Sequence, residues 1–242
     1  MSLTKHWHSA ARTDLGKVRA RNEDAYLNIA QHGLWAVADG MGGHHGGDIA
    51  SRLIVDSLTQ LSTAGDFEQR VEQVRQCLHW INRRLSQEMT LISESQGKVM
   101  GSTVVVLLVD GTRAVCIWAG DSRCYLWRGQ HLYQLSRDHS LLQQLLDEQQ
   151  LSIEQAQQHP SAHALTQAIG GDDRLGLDIL EFSVQPGDVL LLCSDGLYQD
   201  ISNKAVGQAL SLSTAELALD RLFEGVLQGA ARDNLTGVVI HL

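Results

Sequence analysis

Four aspartates recur in one setting along this chain: Asp39 in AVADGMGG, Asp121 in WAGDSR, Asp195 in LLLCSDGL and Asp233 in ARDNLTGVVI. Each stands beside an apolar run, where a buried strand reaches the edge of the core and presents a carboxylate at its rim. Carboxylates gathered at one rim repel each other unless divalent cations hold them, so the pattern points to a metal site. Asp39 offers a carboxylate, and Gly40 has no side chain to obstruct its carbonyl. That pair suits a hard ion such as Mg²⁺ or Mn²⁺. If the strands next to Asp39, Asp195 and Asp233 meet, their carboxylates can bridge two ions about 3.5–4 Å apart, the spacing of two-metal hydrolytic centres. A DGxGG loop taken alone also serves ordinary turns and helix starts.

Other residues have two readings each. Asp121 and Asp138 could form a more open third ion site, or could cap turns after strands. Of Glu23 and Asp24, one could orient metal-bound water while the other is a solvated surface acid. Arg19 is a candidate phosphate clamp, because its fork matches two phosphoryl oxygens. It could equally pair with Glu23 at the surface, and Arg12 and Arg21 compete for its role. His44 and His45 lie near enough to the acids for proton transfer to be imagined, yet no further His or Cys at suitable spacing makes them zinc ligands.

The elements that must position these residues are legible as changes of period. Residues Trp7 to Thr13 suit an edge strand, and a second strand in the segment ending at Ala30 leads into a turn at Gln31, His32 and Gly33. LWAVADG reads as a buried strand ending at Asp39. A helix follows the glycines, with an apolar stripe of Ile49, Leu53, Ile54, Leu58 and Leu61. A longer helix spans Phe67 to Glu94, with Val71, Val74, Leu78, Ile81 and Leu85 on its packed face. STVVVLLVDG, TRAVCIWAGDS and RCYLWRGQHLYQLS are three strand candidates joined by short turns, which favours an antiparallel arrangement. From Asp138 to Gly170 the chain is Gln- and Leu-rich and helical in pieces. PGDVLLLCSDG returns to a strand, helices follow over Asn203 to Leu210 and Thr214 to Ala230, and TGVVIHL closes the core. Helices between groups of antiparallel strands suit two stacked sheets with helices on both outer faces, an α+β domain. A doubly wound parallel sheet is disfavoured because the middle strands lack helical crossovers.

With 242 residues, 43% hydrophobic residues and two prolines, the chain suits one compact domain over 1–242. A formal charge of −9 without a Lys/Arg run argues against nucleic acid. Cys77, Cys116, Cys124 and Cys193 lack CxxC spacing and read as free thiols. No signal-like or membrane-length apolar segment is present in the sequence, so a soluble cytoplasmic protein without membrane insertion is expected.

Taken together, GKVRARNEDA (16–25), VADGMGGHHGG (37–47), GST (101–103), AGDSR (119–123), SRDHS (136–140), LLLCSDGL (190–197) and RDNLTGVVI (232–240) resemble the metal-dependent PP2C-type protein serine/threonine phosphatases, in their compact bacterial branch. The resemblance covers nearly the whole chain, with its motifs in family order. It implies a four-layer αββα sandwich with a binuclear Mn²⁺/Mg²⁺ centre at one end. Asp39, Asp195 and Asp233 would be the carboxylate ligands, with the Gly40 carbonyl. Asp24, with Glu23, would hold metal-bound water. Arg19 would take the phosphate, Asp121 a weaker third ion, and residues 139–170 would form the variable flap that influences substrate choice. Where better-known eukaryotic members place a His after the Asp-Gly pair, this chain has Met41, which cannot donate a proton. The leaving group would then take its proton from metal-bound water or from His44.

The implied reaction is hydrolysis of phosphoserine or phosphothreonine in a protein by metal-activated water, by a monomer that opposes a serine/threonine kinase. The natural substrate would be that kinase or its target. The chain also resembles the phosphatases found beside type VI secretion genes. The alternatives are a noncatalytic phosphoprotein-binding module, which would fit loss of a ligand acid, and a metal-dependent phosphodiesterase, which would need base recognition.

Overall fold

A computed structural model describes residues 7–42, 46–96, 100–148 and 151–242, with backbone alone for 88–96. The strands are β1 (His8–Asp14), β2 (Asp24–Ile29), β3 (Leu34–Met41), β4 (Gly101–Ser102), β5 (Val104–Asp110), β6 (Arg113–Ala119), β7 (Arg123–Arg128), β8 (His131–Gln134), β9 (Asp178–Ser183), β10 (Val189–Cys193) and β11 (Leu235–His241). The helices are α1 (Gly46–Thr59), α2 (Phe67–Gln96), α3 (Leu141–Glu148), α4 (Ile153–Gln157), α5 (Asp195–Tyr198), α6 (Asn203–Leu210) and α7 (Ala215–Gln228). Among the described residues, no helix is long and apolar enough to cross a membrane.

The strands form two antiparallel sheets. Sheet one runs β1-β11-β10-β7-β8, and sheet two runs β2-β3-β5-β6-β9 with β4 paired to β3. Side-chain alternation sorts each strand between two cores. On β3, Trp35 and Val37 point between the sheets, where they meet Leu190, Leu192, Val238 and Ile240 of sheet one. Leu34, Ala36 and Ala38 point the other way, into a core shared with Ile54 and Leu58 of α1 and Leu78 and Ile81 of α2. A third core packs Val189, Leu191 and Val239 against α6 and α7. Both faces of the inner strands are therefore covered, which explains why they read as continuous apolar runs. The layers are helix, sheet, sheet, helix: the expected α+β sandwich.

Several local expectations need correction. The strand expected to end at Asp39 continues to Met41, because β4 pairs with Gly40 and Met41. RCYLWRGQHLYQLS is a hairpin of β7 and β8, turned at Gly129 and Gln130, both at positive φ as a two-residue type I′ turn requires. The run of middle strands also divides: β6 lies in sheet two and β7 in sheet one. The chain changes sheets through Gly120-Asp121-Ser122, with Gly120 at φ 107 and no room for a Cβ against Thr103. Strand β9 went unread because it lies at an exposed edge and its alternation is weak. Ile49, assigned to the packed stripe of α1, is exposed.

Buried Asn82 of α2 fastens the turn at Gly170 to Asp173. Its Nδ2 donates to the Asp172 carbonyl at 2.9 Å, and its Oδ1 accepts from the Gly170 N–H at 2.7 Å. Asn82→Ala leaves a buried N–H and a carbonyl without their partner and is expected to lower unfolding free energy by about 2–4 kcal/mol. Urea denaturation followed by tryptophan fluorescence measures it, and a loss within error of zero would refute this role.

Candidate metal centre

The site lies at one end of the sandwich, where the strand termini converge. Asp39 stands near the end of β3, with its backbone fixed on both sides: its N–H donates to Thr103 Oγ1 at 3.2 Å, and its carbonyl accepts from Thr103 N at 2.9 Å and Ser102 Oγ at 2.9 Å. Asp195 opens α5 directly after β10, and Asp233 lies two residues before β11. Asp121 sits in the loop by which the chain changes sheets. These four, with Glu23 and Arg19, line one cavity of about 970 Å³. Asp39 and Asp195 are near enough for each to shift the other's proton affinity.

Close backbone approach explains the glycines beside these acids. A Cβ on Gly40 would stand 2.2 Å from the Gly47 carbonyl oxygen and 2.6 Å from that of Glu23, so α1 is pressed against β3 at this point. A Cβ on Gly196 would stand 2.1 Å from the Asn234 carbonyl oxygen. Each Asp-Gly pair thus couples a cavity acid to a residue that lets a neighbouring backbone come close.

Asp24 faces Asp39 in the β2–β3 register but does not line the cavity. It is buried, accepts from Ser194 Oγ at 2.8 Å through Oδ2, and leaves Oδ1 without a partner. Glu23 reaches the cavity wall, and its backbone N–H donates to Asn234 Oδ1 at 2.9 Å. Arg19 Nη2 lies 2.6 Å from Asp233 Oδ2 and not on Glu23. Asp138 is engaged elsewhere, gripped by Arg123 at 2.6 and 2.8 Å. Arg12 reaches Asp14 and Asp220, away from the cavity. His44 and His45 lie outside the described residues.

Burial and mutual repulsion govern the acids. Burial, then Asp24 and Asp195, hold the Asp39 carboxyl well above the usual range. Burial and then Asp233 raise Asp195. Asp121 is pushed up to about 7 by burial, then by Asp195 and Asp138. Asp24 is raised to about 6 by burial, against hydrogen bonds from Thr236 and Ser194 that lower it. Burial followed by Asp48 raises Glu23.

The donor chemistry fits a hard divalent cation: the cavity acids supply oxygen only, crowded and desolvated, and a buried Asp24 oxygen has no partner. Among the described residues, no three His, Cys, Asp or Glu side chains close into a cage. The acids line the cavity together without closing on one point.

Several participants escaped the sequence reading. Asn234 is a hub: its Nδ2 donates to the carbonyls of Leu15 and Arg21 at 3.0 and 2.9 Å, which holds the loop carrying Arg19 against β11. Its position directly after Asp233 was the available signal. Ser194 and Thr103 connect elements below the rim. His163, Thr166 and Gln167, which also line the cavity, fall in the 139–170 segment expected as a flap, but no residue pattern singled them out within it.

The raised carboxyls give a signed pH dependence. Each binds its proton more tightly folded than unfolded, so folded protein carries more protons between the ordinary value of 3.8 and about 7. Stability therefore falls as pH rises through that window. In chelator the melting temperature is expected to be several degrees lower at pH 8 than at pH 5, and Mn²⁺ to remove most of that slope. Thermal melts with and without Mn²⁺ check it; a chelated protein whose melting is indifferent to pH would contradict it.

A family model, "Protein phosphatase 2C", matches residues 17–236. The serine/threonine protein phosphatase PstP of Mycobacterium tuberculosis is 34% identical over 95% of this chain, and the chain spans 44% of the length of PstP. Among solved structures, PppA of Pseudomonas aeruginosa, described as a key regulatory component of the T6SS, superposes with a TM-score of 0.90 at 41% identity, covering 98% of both chains. The PstP catalytic domain in complex with 2 manganese ions superposes at 0.81 with 34% identity, covering 97% of both. On a family match through nearly all its length and relatives above 30% identity across it, this chain belongs to the protein phosphatase 2C family.

Proposed function

We propose that this chain hydrolyses phosphoserine and phosphothreonine in proteins with divalent-metal dependence, as a single domain over 1–242. The observation that carries the reading is the meeting of Asp39, Asp121, Asp195 and Asp233, drawn from distant parts of the chain, around one cavity with Arg19 at its edge. Asp39, Asp195 and Asp233, with the Gly40 carbonyl, would hold two Mn²⁺ or Mg²⁺ ions, and Asp121 a weaker third. When bound, the ions supply Lewis acidity and lower the proton affinity of water at neutral pH. Binding of cations would also bring the raised carboxyls to their ionised form.

Each residue then has a definable task. Arg19 takes phosphoryl oxygens with its fork and offsets charge developing on them. Its contact with Asp233 shows that the guanidinium can reach the acids. Glu23, at the cavity wall, and Asp24, fixed by Ser194, would orient water. His44 is retained as a candidate proton donor to the departing alcohol, in the place Met41 cannot fill. The identity to PstP and PppA supports a phosphoprotein substrate, in a pathway where the enzyme opposes a serine/threonine kinase. PppA in particular supports a T6SS-linked setting. A cytoplasmic monomer that binds neither nucleic acid nor membrane completes the reading.

Phosphate release from a phosphothreonine peptide, followed as Mn²⁺ is returned to metal-stripped protein, tests the function. Wild-type release should rise with Mn²⁺. Asp39→Asn should lose about 100-fold or more in kcat with weakened metal binding, and full activity in that variant would sink the proposed centre. Arg19→Ala should lose about 10- to 100-fold in kcat/KM, chiefly through KM; an unchanged KM would remove it as the phosphate ligand. Asp121→Ala should turn over more slowly while calorimetry still finds two ions, and unchanged turnover would dismiss it.

A further inference from the structure

His139 is the residue through which three separate pieces of the site touch. Its backbone N–H donates to the Gly120 carbonyl at 2.9 Å, and the Gly120 N–H donates back to His139 Nδ1 at 3.3 Å. Gly120 immediately precedes Asp121. On its other side, the His139 carbonyl accepts from Thr166 N–H at 2.8 Å. Thr166 belongs to the returning arm of the 139–170 segment and lines the same cavity as the acids. Further along, Ser140 bridges Leu165, and Leu141 N–H donates to the Ala164 carbonyl at 2.9 Å. The two arms of the segment are thus zipped together from His139 outward.

The imidazole is held from every direction. Its ring stacks on Trp118, and Trp118 Nε1 donates to the carbonyl of Arg137 at 2.8 Å. Nε2 lies 3.2 Å from Asp178 Oδ2 on β9. Because Nδ1 accepts a backbone N–H, the ring hydrogen is assigned to Nε2, on the side of the Asp178 carboxylate. Asp138, its neighbour, is anchored to Arg123, so the backbone on that side has little freedom. A ring held at both nitrogens and on one face in this way fixes distances between the groups it joins.

We propose that His139 is a positioning residue: through Nδ1 and its own backbone it sets the cavity wall around Thr166 against the Asp121 loop, and so tunes the site for phosphoprotein substrates large enough to touch that wall. The inference rests on the phosphatase reading above. It makes the wall a determinant of protein-sized substrates, while a small phosphate ester, which needs only the acids and Arg19, senses it weakly. His139 itself touches no substrate in this scheme.

Two conservative variants separate the ring's contacts. In His139→Asn, the side-chain oxygen occupies the place of Nδ1 and can accept the Gly120 N–H, while the reach to Asp178 is lost. In His139→Gln, the longer amide can reach Asp178 but not Gly120 in the same way. Steady-state kinetics with Mn²⁺, on a phosphothreonine peptide and on p-nitrophenyl phosphate, read the effect.

For His139→Ala the peptide KM is expected to rise roughly threefold to tenfold, the effect of losing one such hydrogen bond, with the p-nitrophenyl phosphate KM moving less than about twofold. His139→Asn should return the peptide KM to near wild type, and His139→Gln should stay with the alanine variant. Equal shifts on both substrates, an unchanged peptide KM in folded His139→Ala, or equal rescue by Gln and Asn would overturn the proposal. Should the alanine variant fail to fold, the comparison of Asn with Gln decides alone. A wild-type protein inactive on both substrates would overturn the phosphatase reading and this inference with it, whereas an active wild type with unsplit variants overturns only this inference.

Discussion

Ser194 at the end of β10 donates a hydrogen bond to Asp24 on β2, across the gap between the two sheets. Ser194 Oγ in turn accepts from the Thr236 N–H on β11, and the Thr236 hydroxyl meets Thr13 of β1 at 2.7 Å. Polar groups this deep in a sandwich are costly unless paired. These are placed where an apolar core could not continue, because the next residues outward are the acids of the cavity. The chain therefore makes a transition from dry core to ionic site within one layer of hydroxyls. With those hydroxyls in place, the strand that carries Asp39 and the strand that leads into Asp195 are held in position, and the repulsion between their carboxylates is met by the fold's stiffness. Arg123 serves the same end on the neighbouring strand: it binds Asp138, lies 3.6 Å over the Tyr198 ring and reaches the Tyr125 hydroxyl.

Much of the architecture was legible because covered strands and amphipathic helices leave strong periods. Residues 104–109 and Val189–Cys193 are apolar without interruption because helices cover one face and the opposite sheet the other. Strand β9 carries no such mark. It has one neighbour, β6, and alternates only weakly, so nothing in DILEFS outweighs a loop reading. The change of sheet at Gly120 was invisible for a different reason. A short Gly-Asp-Ser connection is compatible with a hairpin, and only the partners of β6 and β7, far away in sequence, decide against one.

The candidate site divides along the same line. Its acids were readable because an aspartate beside a buried strand is conspicuous. What holds them was less so: Asn234 looks like an ordinary turn residue until its three partners are seen, and Thr166 has no chemical signature of its own beyond its place in the segment expected as a flap. The glycines had a reason beyond the one sequence suggested. Gly40 was valued for an unobstructed carbonyl, and the structure adds that α1 could not approach β3 over any larger residue. Arg19 reaches Asp233 in place of the expected Glu23, since the loop that carries it is tied by Asn234 to the start of β11.

In sheet one the opening strand β1 pairs with the closing strand β11 along its whole length, from His8 opposite His241 to Asp14 opposite Leu235. These partners lie far apart along the chain, so a ribosome delivers β1 long before β11. Until β11 emerges, β1 has no neighbour in its sheet, Asp233 is missing from the rim, and the hydroxyl layer lacks Thr236. A nascent chain can assemble much of sheet two early, since β2, β3, β5 and β6 follow one another, yet Asp233 joins the cavity only after β11 has been made. Of all the strand pairings in the two sheets, that of β1 with β11 joins the segments farthest apart in sequence, so β1 keeps an open edge until residues 235–241 have been made.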